Sequence, residues 1–126
     1  MVGTVHVHPN GRFVYVANRA SSTVDQVFAG GENSIAAFVI DQADGRPAPI
    51  QHADTHGIHC RTFHIDPSGR LMVCAHIMGL TLSGGSVIPP RLTLFRIGED
   101  GHLSFARSYD IETNGRLMWW MGMVTL

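Results

Sequence analysis

Apolar and polar residues alternate along most of this chain with a period of two, which is the spacing of side chains along a β-strand. Near the N-terminus, Phe13, Tyr15 and Ala17 alternate with Val14 and Val16. Because both sets are apolar, we expect this strand to be buried on both faces. Helical spacing of apolar residues is nearly absent, so the pattern predicts an all-β fold.

Turn sequences separate the strand-like segments. They read PNG at 9–11, ADG at 43–45, PSG at 67–69 and EDG at 99–101. Such turns between two apolar runs are typical of β-hairpins. The predicted strands cover residues 4–8, 12–18, 34–41, 47–54, 61–66, 70–76, 91–98, 102–109 and 117–125, with long loops at 19–33 and 77–90.

The second half of the chain repeats the first half. Each half holds four predicted strands joined by tight turns, and equivalent positions lie 56 to 58 residues apart. Self-similarity with such a period is typical of a solenoid, a propeller or an array, and four antiparallel strands form one propeller blade. Equivalent pairs include Pro9 with Pro67, Gly11 with Gly69, and Phe38 with Phe95.

We therefore predict that residues 1–126 form a partial β-propeller domain. It has two four-stranded antiparallel blades, at 4–54 and 61–109, and one further strand at 117–125 that closes the structure. A blade cannot bury both of its apolar faces alone, and closed propellers have about four to eight blades. The chain is thus expected to be the C-terminal fragment of a larger ring, with open blade edges through which copies could self-associate.

The balance of charge limits the classes of partner. Nine Lys and Arg residues stand against ten Asp and Glu residues, which argues against a nucleic-acid or membrane-surface partner. The two cysteines, Cys60 and Cys74, have no metal-binding spacing, and Cys74 lies in an apolar strand that predicts a buried thiol. These features favour a reduced, cytoplasmic setting and a protein without a metal or other cofactor.

Four segments together resemble the lactonase family of seven-bladed propellers. They read HPNGRFVYVANR at 8–19, SIAAFVIDQADGRPAPIQH at 34–52, CRTFHIDPSGRLMVCAH at 60–76 and RLTLFRIGEDGHLSF at 91–105. The family includes the propeller-type 6-phosphogluconolactonase and fungal enzymes that form or open carboxymuconate lactones. The resemblance implies an active site at one mouth of the central channel, with histidine, arginine and glutamate contributed by several blades.

Two arginines match the family's motifs. Arg19, in the "NR" pair that ends the second strand, corresponds to a proposed catalytic residue, and the resemblance implies the same role here. A guanidinium can stabilise the charge that develops on a lactone carbonyl, or hold a phosphate or carboxylate. Arg61 matches the "PR" arginine, with Cys60 in place of proline, and is expected to bind substrate. Asn18 either orients Arg19 or simply ends the strand.

Histidines supply the other candidates. His59, in a histidine-rich loop near the predicted mouth, is a candidate acid, base or substrate contact. His76 stands where the first repeat has Asn18, so it is a candidate substrate ligand. A metal site formed by His52, His56, His59 and His64 is an alternative, but their spacing fits no known zinc pattern.

Three further features qualify this interpretation. His8 aligns with Asp66, which predicts that it caps the turn beside it. Thr4 stands where many family members have glutamate, so activity or substrate preference could differ. Trp119 and Trp120 are interpreted as part of the closing strand, buried between blades, although a sugar could stack on either indole.

Function is predicted at the level of the class of reaction. The first hypothesis is a lactone hydrolase resembling 6-phosphogluconolactonase, acting on a small-molecule lactone or sugar acid and inactive as this fragment. The second is a muconate-type lactonising enzyme, in which the same arginines grip carboxylates. The third is a propeller that serves as a binding module without chemistry.

Overall fold

All regular elements of the part of the chain that the structure describes are β-strands. The computed structural model describes residues 1–124, and within that range no helix could cross a membrane. The strands are β1 (Val2–Val7), β2 (Phe13–Asn18), β3 (Thr23–Val24), β4 (Val27–Phe28), β5 (Ser34–Ile40), β6 (Pro47–Asp54), β7 (Cys60–Ile65), β8 (Leu71–His76), β9 (Leu80–Thr81), β10 (Val87–Ile88), β11 (Arg91–Ile97) and β12 (Leu103–Asp110).

Two of the sheets are copies of each other. The first has the order β1-β2-β5-β6 and the second β7-β8-β11-β12, and every pairing in both is antiparallel. Even the irregularities repeat, because a bulge lies between Ala37 and Phe38 in one sheet and between Leu94 and Phe95 in the other. The sequence repeat therefore corresponds to two equivalent four-stranded blades.

A third four-stranded sheet was not predicted. The segments 19–33 and 77–90, expected to be loops, each form a two-stranded hairpin, and β4 pairs with β9 in parallel to give the order β10-β9-β4-β3. We call this the rim sheet. Asp25 and Gln26 both have positive φ (49° and 64°), as a tight hairpin turn of the I′ type requires. Strands of two residues carry no alternation that a sequence pattern could reveal.

The hydrophobic core lies between the two blades. Each large side chain buried there stabilises the fold by roughly 1.5–3 kcal/mol. Its members are Phe13, Tyr15, Ala17, Ile35, Ala37, Ala53, Cys60, Phe63, Ile65, Met72, Cys74, Phe95 and Leu103. Both cysteines are free thiols without solvent exposure, and burial, with the neighbouring Cys60, raises the pKa of Cys74.

The predicted closing strand is wrong. Residues 117–124 form no strand, and position 125 lies outside the described residues. Asn114 and Gly115 adopt positive φ and turn the chain away from β12, so that Met118 donates its backbone N–H to Ile77 instead of pairing with a strand edge. Nor are the tryptophans buried, because Trp119 is 49% and Trp120 76% exposed.

Candidate functional site

A small cavity opens where β1, the end of β2 and the start of β7 meet. β1 and β7 are the first strands of their blades, and they contact each other directly. The cavity has a volume of about 220 Å³. Its walls are Val2, Gly3, Thr4, Arg19, Arg61 and Trp120. Both predicted arginines therefore line one site, although they are far apart in the sequence.

Local irregularities of the two first strands shape this cavity. The pairing of β1 with β2 shifts between Val2 and Val5, and that of β7 with β8 shifts between Cys60 and Thr62, on either side of Arg61. Bulges of this kind re-aim side chains and are common beside active sites. The two bulges occupy equivalent positions of the repeat and face the same cavity.

Two small residues of β1 determine where the arginines lie: Gly3 leaves room for Arg19, and Thr4 bonds to the backbone of Arg61. A Cβ atom on Gly3 would lie 3.2 Å from Nε of Arg19, so a larger residue would push the guanidinium away. Thr4 donates a hydrogen bond from Oγ1 to the backbone carbonyl of Arg61 at 2.7 Å. The threonine that replaces the family's glutamate thus ties the first blade to the second at the cavity.

Arg19 is held by His59. Nη1 of Arg19 contacts Nε2 of His59, and Nδ1 of the same ring lies 2.8 Å from Oγ of Ser21. A guanidinium can only donate, so Nε2 accepts and the ring proton resides on Nδ1, from which it is donated to Ser21. The arginine therefore fixes the tautomer of the histidine.

The backbone of His59 is strained at the point where its side chain contacts Arg19. Its φ of 58° is left-handed, which costs a residue other than glycine about 1–2 kcal/mol. Asn33 compensates, because its Oδ1 accepts the backbone N–H groups of His59 at 2.8 Å and Ala20 at 3.1 Å. Strained residues fixed by their surroundings cluster at functional sites.

The electrostatics keep His59 neutral. Burial lowers its pKa below the ordinary value of 6.5, and the charges of Arg19 and Arg61 lower it further. The imidazole is thus unprotonated at neutral pH and can accept a hydrogen bond from Arg19. Positive charge at the site resides on the guanidinium groups.

Both arginines retain unused hydrogen-bonding capacity. Nε of Arg19 and Nε of Arg61 are buried and contact no acceptor among the described residues. A buried donor without a partner costs free energy, and an anion or water that reached these atoms after a small movement of the side chains would remove that cost. Two guanidinium groups that line one cavity suit an anion, because the planar fork of donors on each matches the oxygens of a carboxylate or a phosphate.

Two tryptophans lie beside Arg61, and one of them, Trp120, lines the cavity, in a position that the sequence did not predict. The guanidinium carbon of Arg61 lies 4.8 Å from the ring centre of Trp119 and 5.6 Å from that of Trp120. Cation–π contact holds the arginine in place without using its hydrogen-bond donors. The segment that carries the tryptophans reaches this point because it is not part of a strand.

Two predicted site residues lie away from the cavity. His76 is fully buried, its Nδ1 bonds to the carbonyl of Arg91, and a Cβ atom on Gly57 would lie 2.5 Å from its ring. Burial lowers the pKa of His76 to about 4. Asn18 bonds to Ser34 and Glu32 and makes no hydrogen bond to Arg19. The cavity thus contains the two arginines, with His59 behind Arg19.

The other histidines have separate surroundings. His8 accepts the N–H of Asn10 at 3.2 Å, as its predicted capping role requires, and its Nε2 bonds to the carbonyl of Gly69 in the neighbouring blade. His52 bonds to Glu32 at 2.8 Å on the surface. Among residues 1–124, no three histidine, cysteine or carboxylate side chains stand together as a metal site would need.

A second, larger cavity lies beneath the rim sheet. It has a volume of about 430 Å³ and is lined in part by Arg91, Asp54 and His56. The buried Nε of Arg91, like those of Arg19 and Arg61, contacts no acceptor among the described residues, but its guanidinium pairs with Asp110 at 2.9 Å and donates to the carbonyl of His56 at 2.9 Å. Since its charge is compensated, this cavity is the weaker candidate for an anionic ligand.

Comparison with known proteins supports the architecture described above. The family model described as "Lactonase, 7-bladed beta-propeller" matches residues 1–81. Two proteins named 6-phosphogluconolactonase, from Formosa agariphila and Bacillus subtilis, are each 36% identical over 72 residues. That region is 57% of this chain and 18% of either relative, so the chain covers less than a fifth of the curated relatives that it matches.

Solved structures agree with the fold. A protein from Lactobacillus plantarum matches 93% of this chain with a TM-score of 0.66 and 24% identity, over 29% of its own chain. The periplasmic gluconolactonase of Pseudomonas aeruginosa matches 87% with a TM-score of 0.63 and 21% identity, over 25% of its chain. The family model that matches residues 1–81 shows that the chain belongs to the lactonase family of seven-bladed β-propellers.

Proposed function

We propose that this chain supplies an anion-binding wall of a lactone hydrolase that resembles 6-phosphogluconolactonase. The observation that carries the proposal is the pair of guanidinium groups, Arg19 and Arg61, that line one cavity with unused buried donors. The names of the curated relatives support a sugar lactone that carries a phosphate. In this assignment the arginines bind the anionic group or the lactone carbonyl.

Charge development explains why arginine suits the reaction. When water attacks a lactone carbonyl, negative charge moves to the carbonyl oxygen, and a fixed positive group stabilises that charge more in the transition state than in the substrate. Arg19 is fixed by His59, and its guanidinium can only donate hydrogen bonds. It therefore acts as an electrostatic stabiliser, and His59 positions it.

Activation of the water needs a base. Nε2 of His59 carries the only basic lone pair of that ring, and this lone pair already accepts a hydrogen bond from Arg19. His59 could accept a proton from water only after its contact with Arg19 is broken by a ligand. We expect this chain to bind the ligand through its arginines. It should show no lactone hydrolysis by itself, because it covers less than a fifth of its curated relatives.

Calorimetric titration of the purified chain with 6-phosphogluconate tests the binding step. We expect Arg19→Ala and Arg61→Ala each to weaken binding by about tenfold or more, since a hydrogen bond to a charged group contributes roughly 1.5–3 kcal/mol. Arg46→Ala is the matched control, because Arg46 is exposed and pairs only with Asp44 in its own turn. Equal affinity of all three variants would refute the proposal.

Two parallel titrations separate the alternative functions. Tighter binding of a muconate-type dicarboxylate than of the sugar phosphate would favour a lactonising enzyme. Absence of binding of either metabolite would favour a binding module without chemistry.

A further inference from the structure

We propose that Trp120, supported by Trp119, forms a packing platform for the carbon skeleton of the sugar derivative whose anionic group Arg19 and Arg61 hold. This inference rests on the proposed function, and it assigns a specificity role to a segment that the family match, which ends at residue 81, does not cover. The tryptophans had been expected in a buried strand, and their exposure beside the arginines is what suggests the role.

Geometry places the two kinds of contact side by side. Trp120 lines the same cavity as Arg19 and Arg61, and it remains 76% exposed, so much of its ring is open to a ligand. Trp119 lies closest to the guanidinium of Arg61, at 4.8 Å from ring centre to carbon. One tryptophan thus mainly supports the arginine, while the other offers a free aromatic surface beside it.

The chemistry fits a sugar derivative with an acidic group. The C–H groups along the carbon skeleton of a sugar derivative form an apolar surface that packs on an indole, and its hydroxyls remain in water at the rim. A phosphate or carboxylate on the same molecule would reach the arginine donors. Inorganic phosphate would engage only the arginines.

The position of the platform is set by backbone contacts. Met118 donates its N–H to the carbonyl of Ile77 at 3.1 Å, just after β8, and Arg116 donates to Thr113 at 3.0 Å within the preceding turn. These bonds anchor the segment next to the tryptophans. The indoles are therefore held over Arg61 by the fold of the chain.

Titrations with two probes test the inference. In wild type we expect 6-phosphogluconate to bind more tightly than inorganic phosphate. Trp120→Ala should weaken the binding of 6-phosphogluconate by about tenfold, because it removes an aromatic contact worth about 1.5 kcal/mol. The binding of inorganic phosphate should be unchanged. Trp120→Tyr should restore most of the affinity. The control Tyr109→Ala removes another exposed aromatic, which lies over Arg107, and should change neither titration.

Fluorescence gives an independent readout. The chain has two tryptophans in all, and both are at this site, so 6-phosphogluconate should change the emission of wild type and inorganic phosphate should change it less. Three results would overturn the platform. Trp120→Ala could lose affinity equally for both probes, or lose affinity for neither. Wild type could also fail to bind 6-phosphogluconate. If 6-phosphogluconate binding depends on Trp120 but not on Arg19 or Arg61, the platform stands and the proposed function fails.

Sedimentation excludes a competing occupant. The exposed indoles could instead contact a second copy of the chain. If Trp120→Ala converts an oligomer to a monomer and binding of 6-phosphogluconate is unaffected, the platform serves self-association and the inference is wrong. The same state of association in wild type and Trp120→Ala, with the loss of sugar binding described above, supports it.

Discussion

At the scale of single residues, the site depends on one contact between a permanent cation and a neutral imidazole. Arg19 occupies the lone pair of His59, and the positive charge beside the ring opposes its protonation. The same contact fixes the direction of the guanidinium group of Arg19. A change at either residue is therefore expected to be detected at the other.

Removal of the arginine should raise the pKa of His59. Arg19→Ala deletes a neighbouring positive charge, so the protonated imidazole becomes less costly and the pKa moves up toward 6.5. An NMR titration of the ring nitrogens measures this and also reports whether the proton resides on Nδ1. Arg46→Ala should leave the titration as in wild type. A pKa of His59 that is unchanged in Arg19→Ala would contradict the assigned contact.

Burial of His76 predicts a specific dependence of stability on pH. Its pKa is about 4 when folded and about 6.5 when unfolded, so below pH 6.5 the unfolded chain takes up a proton that the folded chain does not. Stability that His76 contributes is complete above pH 6.5 and is lost as the pH falls toward 4.

The expected size of this loss is about 2 kcal/mol in the free energy of unfolding at pH 5, compared with pH 7. Urea denaturation at both values measures it, and His76→Gln should show a correspondingly smaller decrease. The same decrease in His76→Gln as in wild type would show that another group is responsible.

Residues of the site were predictable only where a motif marked them. Arg19 and Arg61 follow recognisable repeat sequences, and the structure brings both to one cavity. Gly3 and Asn33 could not be predicted, since their contacts join positions 16 and 26 residues apart. Trp120 was assigned to a strand because its neighbours are apolar, and apolar composition does not show which surface a segment meets.

At the scale of elements, the turns of the second blade are packed against the first blade, and the equivalent turns of the first blade are not. Gly101 accepts a hydrogen bond from the hydroxyl of Tyr15 at 2.9 Å, and a Cβ atom there would lie 2.5 Å from the ring of Phe13. Its repeat equivalent, Gly45, has nothing within 4 Å of such an atom. Both glycines have positive φ, of 84° and 78°.

This asymmetry allows a matched test. Gly101→Ala and Gly45→Ala both place alanine at positive φ, which costs about 1–2 kcal/mol. Gly101→Ala should lose an additional 1–3 kcal/mol or so, because the new methyl group collides with Phe13. Urea denaturation compares the two free energies of unfolding. Equal losses would mean that the blades do not pack as described.

The predictability of the elements followed their length. Eight strands of six to eight residues were predicted because their alternation extends over several residues and glycine turns bound them. The rim sheet was missed because each of its strands has two residues, and it forms only when two distant hairpins meet. The strand predicted at 117–125 shows the opposite error, in which an apolar run finds no edge to pair with.

At the scale of the whole molecule, two blades cover only two of their four broad faces. Val5 and Val7 of β1 are more than half exposed, and Phe105 and Tyr109 of β12 are about half exposed. Exposed apolar side chains on sheets are sites where another chain can bind. We therefore expect copies of the isolated chain to associate with one another through these faces.

Sedimentation velocity across a range of concentrations tests this expectation. We expect wild type to sediment faster as its concentration increases, and the double variant Val5→Thr with Val7→Thr to lessen that increase, since threonine keeps the β-branched shape but adds a hydroxyl. Val24→Thr, on the rim sheet, is the control, because Val24 is 65% exposed but lies on a different surface. Equal association of both variants would place the contact elsewhere.

The most direct test of the account is a structure of this chain with 6-phosphogluconate bound. We expect the phosphate or carboxylate to lie within hydrogen-bond distance of both Arg19 and Arg61, at about 3 Å, with the sugar chain against Trp120. A ligand located beneath the rim sheet beside Arg91, or one that contacts neither Arg19 nor Arg61, would contradict it.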